Sequence, residues 1–274
     1  MHRKERKANF LKKRNTVKLI LIVLCIILLC VFVYSGYKII TTIQGYKQAE
    51  KAYTEVANQF ATVVASPTPV PVESEQPQGD GIDPEVSPLN IDFAGLRAQS
   101  TDYVAWIYGP NTVINYPIAY TDDNFYYLDH IPGEIQNANG TIFIDCRNAS
   151  DFSDQNTCVY GHNMNDGSMF ASLRNYRDAN YYTEHPVIYL STPDFNYRLD
   201  LIAGFITEPT SFAYASTFDT PEQFMGHIEL IKDLSTFKSD VQVNETDKIV
   251  TLSTCTYERD DGRYVVVGKL TRIH

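Results

Sequence analysis

The longest apolar run in the chain is VKLILIVLCIILLCVFVY, residues 17–34, broken only by Lys18. It has about the length of a bilayer-crossing helix, roughly 20 residues. Residues 39–64 mix polar and apolar positions with helical content, as expected of a stalk. The pattern then fails: Pro67, Pro69, Pro71, Pro77, Pro84 and Pro88 stand among acids, Ser and Gly. Such a stretch buries too little apolar surface to fold and is expected to be an extended spacer. From Leu89 onward, short apolar runs alternate with polar turn clusters. Strands are predicted at 104–108, 113–116, 141–144, 157–160, 187–190, 197–206, 248–255 and 263–272, after a short helix near 91–97. Many short strands with polar turns predict a mainly β barrel or sandwich. One segment departs from this pattern. Asp219-Thr220-Pro221-Glu222 supplies cap-type residues and a first-turn proline, and Phe224, Ile228 and Ile231 follow at helical spacing. A helix is therefore expected at 221–234, just before the strand that ends in Cys255. The predicted divisions are a tail at 1–16, a transmembrane helix at 17–37, a helical stalk at 38–64, a spacer at 65–88 and a folded domain at 89–274.

Charge orients this layout. Residues 1–18 hold eight basic groups and one acid, +7, so the rest of a chain of formal net charge −10 carries −17. Basic residues flanking an apolar span stay in the cytoplasm, so the expectation is a single-pass protein of the cell membrane with its folded domain outside. The competing reading is a cleaved signal peptide, which shares the basic start. Its apolar region is shorter, about 7–15 residues, and ends in small residues; here the run passes into Tyr34-Ser35-Gly36-Tyr37-Lys38. The acidic outer part argues against nucleic acid as a partner, which needs a basic footprint.

The chemistry centres on few residues. Of five cysteines, Cys25 and Cys30 fall in the apolar span, and Cys146, Cys158 and Cys255 fall in the outer domain. An odd number leaves at least one thiol unpaired. A Cys146–Cys158 disulfide is one possibility; sequence does not show the Cβ approach it requires. Alternation along KIVTLSTC puts Ile249, Thr251, Ser253 and Cys255 on one face, an unusually polar row for a core strand. Among the histidines, His2 and His274 are terminal, and His130 and His185 sit in a turn and before Pro186. His227 is expected on the solvated face of the 221–234 helix. His162 opens a polar loop after a strand, where a side chain is free to serve a site. Arg263 begins the last strand and shares a face with Val265 and Val267, whereas Arg259 sits in the acidic loop Glu258-Arg259-Asp260-Asp261-Gly262 and reads as a solvated charge. Nucleophile, proton carrier and permanently charged fork suit acyl transfer through a thioester.

Several strings together resemble the sortases, and specifically class B sortases. They are Asn124-Phe125-Tyr126-Tyr127-Leu128, Asn139-Gly140-Thr141-Ile142-Phe143-Ile144-Asp145, Tyr160-Gly161-His162-Asn163-Met164, Asp166-Gly167-Ser168-Met169-Phe170, Asp247 through Cys255, and Arg263-Tyr264-Val265-Val266-Val267. The resemblance covers roughly residues 89–272. It implies an eight-stranded sortase-type β-barrel with an N-terminal helical extension and a helix in the connection before the cysteine strand. It also implies catalytic roles for His162, Cys255 and Arg263. Ser253 and Thr254 are implied as supporting residues, and Asn124 and Leu128 as lining a substrate groove. No acids match the calcium site of class A relatives, so neither metal nor cofactor is expected.

The implied activity is that of a membrane-anchored cysteine transpeptidase. Its partners would be exported proteins bearing a C-terminal sorting motif and an amine of peptidoglycan or its lipid-linked precursor. Other readings are an exported cell-wall cysteine peptidase, an L,D-transpeptidase, or an anchored binding module with Cys255 merely buried. The chain has neither an Asp-Cys-Ser-Gly nor a Ser-His-Gly-Cys-Arg string, and its candidate histidine precedes the cysteine by 93 residues.

Overall fold

Strands buried on both sides need neighbours on both edges, and a closed barrel supplies them. A computed structural model describes residues 2–64, 85–133, 135–137, 139–256 and 261–274, with side chains from Lys18 onward. The barrel strands are β1 (Tyr103–Tyr108), β2 (Asn115–Ala119), β3 (Ile142–Ile144), β4 (Asn156–Tyr160), β5 (Val187–Ser191), β6 (Asn196–Thr207), β7 (Lys248–Cys255) and β8 (Arg263–Ile273). They close in the order β6-β8-β7-β4-β3-β2-β1-β5, so the mainly β expectation resolves to an eight-stranded barrel rather than a sandwich. All eight expected strands are present, with ends displaced by at most a few residues.

Two pairings in the barrel are parallel, β4 with β7 and β2 with β3. The first decides where the chemistry lies. In the β4–β7 ladder Ser253 stands opposite Tyr160, and the Gly161 N–H donates to the Ser253 carbonyl at 3.1 Å. Parallel strands keep their ends together, so the residues leaving β4 and β7 emerge at the same end of the barrel. β8 returns antiparallel along β7, with Arg263 opposite Cys255.

One face of this three-strand seam is covered by the long connection from β6 to β7. Within it lies helix α4 (Pro221–Asp233); α1–α3 are the helices His2–Phe60, Phe93–Gln99 and Ala179–Glu184. Helix α4 starts as its sequence dictates: Thr220 accepts the Gln223 N–H, Pro221 occupies the first turn, and Glu222 follows. It buries Phe224, Ile228 and Ile231 against Cys158, Ile249, Val265 and Val267. Each such side chain contributes about 1.5–3 kcal/mol on leaving water. His227 is a correction to the sequence expectation. It is buried at 7% exposure, facing Phe212 and Phe218, because the helix packs through a wider stripe than its three apolar residues mark. Burial lowers its pKa to about 4.

Residues Met1–Gln48 and Ala49–His274 form two compact units. The helix α1 is long and apolar enough in part, from Lys18 on, to cross a membrane. Its last residues, 49–60, belong to the second unit, where Phe60 packs with Leu89, Leu96, Tyr103 and Trp106. A short strand Ala61–Val63 follows and pairs with Leu89–Ile91. Most of the proline-rich stretch, 65–84, lies outside the described residues. Its end is tied to the barrel: Glu85 ion-pairs with Arg198 and accepts from the Tyr189 hydroxyl at 2.5 Å.

Candidate active site

Cys255 and Arg263 face the same way because directly opposed residues of an antiparallel pair point to one side of the sheet. Going up that face from Ile249, the seam changes from apolar side chains under α4 to polar ones at the open end. There Thr251 donates to Asn156 Oδ1 at 2.9 Å, and Ser253 shares a 2.9 Å hydrogen bond with the Tyr214 hydroxyl. Every residue of β7 between its ends is buried, so its polar groups must be paired, and these two are. Thr254 is buried, and its hydroxyl bonds to no described residue.

His162 lies two residues beyond the end of β4, at the height of Cys255 by the parallel register. Its Nε2 is 2.6 Å from the Leu128 carbonyl oxygen. A carbonyl only accepts, so Nε2 carries the hydrogen and Nδ1 is left for proton exchange. The loop after His162 is pinned by the Phe170 N–H, which donates to the His162 carbonyl at 3.0 Å, and by a bridge between Asn163 and Met169.

His162, Cys255 and Arg263 all line one groove of about 390 Å³. All three are half-buried. Ser253, Thr254, Asn124 and Leu128 line it too. Asn124 turns its amide oxygen to the Cys146 N–H at 2.8 Å, so it braces the wall as well as forming it. The Arg263 guanidinium donates to the carbonyls of Asp261 and Gly262 at 3.0 and 3.2 Å, which fixes one side of its fork. Arg259 lies outside the described residues. Cys146 and Cys158 are both free thiols. Cys158 is buried beneath α4, which pushes its thiol up to about 12, so at neutral pH it is no nucleophile.

Sequence reasoning missed part of the groove. Asp145, nearly fully buried, holds Arg147 by two bonds of 2.9 and 2.6 Å and accepts from the Tyr160 hydroxyl at 2.7 Å. Burial alone would raise this carboxyl, but the Arg147 guanidinium and N–H and the Tyr160 hydroxyl hold it well below the ordinary carboxylate range. Tyr214, half a connection away from any strand, is pushed up to about 12 by burial and remains a neutral hydroxyl. Phe125, Phe143 and Tyr160 add aromatic surface, with Phe125 78% exposed. Alternation with Cys158 marks Tyr160 in the sequence; nothing in the local pattern marks Tyr214. A second hollow of about 370 Å³, between α1 and residues 166–169, includes none of Cys255, His162 and Arg263.

Comparison with known proteins identifies relatives of the chain and of its barrel. Residues 110–271 match the Sortase domain family. The chain is 35% identical to Sortase B of Listeria monocytogenes over 250 residues, covering 90% of this chain and 95% of that protein. Among solved structures, sortase B from B. anthracis in complex with AAEK1 superposes with a TM-score of 0.68 at 30% identity, over 84% of this chain and 99% of the other. The Staphylococcus aureus sortase B-substrate complex gives 0.63 at 30% identity, over 66% and 84%. The chain belongs to the sortase family and, within it, to class B: it is a cysteine transpeptidase.

Proposed function

We propose that Cys255 is the nucleophile, His162 the proton carrier and Arg263 the oxyanion-side cation of a transpeptidase that joins exported proteins to the cell wall. The observation that carries this reading is the register of β4, β7 and β8, which brings the three residues to one groove. The donor substrate is a sorting motif near the C-terminus of an exported protein. Its apolar and proline-type residues suit the aromatic wall of Phe125, Phe143 and Tyr160. Cys255 Sγ attacks the carbonyl carbon of the motif's threonine while the thiol proton passes to Nδ1 of His162. Negative charge gathers on the former carbonyl oxygen, opposite the free edge of the Arg263 fork. Nδ1 returns its proton to the amide nitrogen, the C–N bond breaks, and a thioester remains on Cys255. An amine of peptidoglycan or its lipid-linked precursor then attacks the thioester, His162 takes the amine proton, and the C–S bond breaks. The new amide is released and Cys255 recovers its proton. Ser253, bound to Tyr214, supports the floor beneath the sulfur.

The apolar segment of α1 is the anchor, with its basic tail in the cytoplasm and the barrel outside. Intact-mass analysis of the protein mixed with a pentapeptide library tests the chemistry. A mass increase on the wild type that hydroxylamine removes, and that Cys255→Ala lacks, is the expected result. A barrel that folds, binds peptides and never acquires the acyl mass overturns it. Supplying a cell-wall amine then separates transfer from hydrolysis by the identity of the product.

A further inference from the structure

We infer that Tyr53, on the last turns of α1, is a positioning residue for His162. This rests on the reading of His162 as proton carrier, and it adds a residue far from the groove to that reading. His162 depends on the Leu128 carbonyl for the direction of its ring, and nothing in β4 or β7 holds that carbonyl in place. What holds it comes from behind. Gly140 has φ of +54°, and a Cβ there would lie 2.3 Å from the Tyr127 oxygen and 2.7 Å from the Leu128 oxygen. The Gly140 backbone thus presses directly on the two carbonyls, with the Thr141 N–H donating to the Tyr127 oxygen at 2.9 Å. Gly140 and Thr141 are in turn held by Tyr53. Its hydroxyl donates to the Gly140 carbonyl and lies 3.2 Å from Thr141 Oγ1.

Tyr53 also reaches the other side of His162. Its ring meets that of Tyr116 edge-on, with centroids 5.6 Å apart. The Tyr116 hydroxyl accepts the Met169 N–H at 3.0 Å, and Met169 bridges to Asn163, the neighbour of His162. One side chain therefore backs both the acceptor of Nε2 and the loop that carries the imidazole. At 5% exposure its hydroxyl is buried, which raises its pKa and keeps it a neutral donor. Loss of the hydroxyl leaves the Gly140 carbonyl without that donor and frees the Tyr127–Leu128 turn to shift. Misplacement of a reacting group by a fraction of an ångström costs about tenfold in rate.

The test is Tyr53→Phe in the full chain in detergent, which keeps the ring and removes one oxygen. Three quantities are measured: kcat and KM for peptide cleavage, the melting temperature, and the 15N spectrum of His162 at alkaline pH. The expected result is a kcat about tenfold lower with a smaller change in KM from the shifted Leu128, and the ring moving from a single Nε2–H tautomer to a mixture. Tyr116→Phe should shift the same spectrum in the same direction, and Thr54→Ala, on the exposed side of the helix, should change nothing. Wild-type kcat together with an unchanged imidazole spectrum in Tyr53→Phe overturns the inference. So does a fall in kcat matched by a fall in melting temperature with the tautomer intact, since that is packing alone. A mixed tautomer at wild-type kcat upholds the brace and instead removes His162 from the chemistry.

Discussion

The seam of β4, β7 and β8 and the wall that faces it obtain their side chains in different ways. On the seam, position follows from backbone pairing: Cys255 opposes Arg263, and Ser253 opposes Tyr160. A one-residue slip would turn Thr251, Ser253 and Cys255 to the other face and break the bonds to Asn156 and Tyr214, which opposes the slip. On the wall, the 3-10 turn Tyr126–Leu128 and the segment around Tyr214 hold position through side-chain bonds, such as Asn124 to Cys146 and Tyr214 to Ser253. Phe125 and Leu128 stay exposed there. The sulfur and the guanidinium are thus carried by register, whereas the imidazole of His162 and the exposed part of the wall are carried by loops. The wall is free to vary without moving the sulfur.

The largest expected break falls on the seam. Arg263→Lys keeps the charge but loses the fork, and kcat/KM should fall about 100- to 1,000-fold, the size of one lost oxyanion contact. Arg259→Ala should leave steady-state turnover near wild type. A dead Arg259→Ala beside an active Arg263→Lys would exchange the two assignments.

Asp145 joins the regions, tying Tyr160 on the seam to Arg147 on the wall. Asp145→Asn should cost about 1.5–3 kcal/mol at neutral pH, because it takes a charged acceptor from the half-buried Tyr160 hydroxyl and from the exposed Arg147 guanidinium. The folded pKa of Asp145 is depressed, so its contribution is present above the ordinary carboxylate range and lost as pH falls through the folded value. Denaturant unfolding of both proteins should therefore converge only in strong acid.

A further effect arises behind the wall. His227 falls from 6.5 to about 4 on folding, so the stability it contributes is present above pH 6.5 and is lost as pH drops toward 4. The loss is at most about 3.4 kcal/mol, since each pKa unit is worth 1.36 kcal/mol. His227→Leu should flatten the melting temperature across that window; an unchanged slope would place the titration elsewhere. The smallest change is expected at Phe125, whose truncation to Ala should raise KM severalfold and leave kcat in place, consistent with about 1 kcal/mol from a mostly exposed ring.

The barrel was legible because its strands are short, turn-bounded and rich in Val, Ile and Tyr, and α4 because cap, proline and apolar spacing agree. The polar row Thr251, Ser253, Cys255 was legible from alternation alone; Ser253 and Cys255 line the groove, and Thr251 is buried beneath it on Asn156. Less was visible where tertiary contacts decide. His227 read as solvated because a polar side chain on a helix gives no sign of the aromatic pair, Phe212 and Phe218, that encloses it. Arg147 and Tyr214 reach the groove through bonds to Asp145 and Ser253, and no local spacing encodes such partners. The strand Ala61–Val63 forms only by pairing with Leu89–Ile91, across residues 65–84 that carry no strand pattern.

The parallel docking of β7 on β4, with Tyr160 and Ser253 93 residues apart in the chain, also bears on when the proposed site is assembled. Contacts that join residues so far apart in the chain form late and slowly. Arg263 lies across from Cys255 on the same short hairpin, but until β7 docks on β4 the cysteine has no imidazole beside it. On the roles proposed above, a half-made barrel therefore holds the cysteine without its proton carrier, and the full set arrives only when the two strands dock, so the fold itself serves as the safety catch.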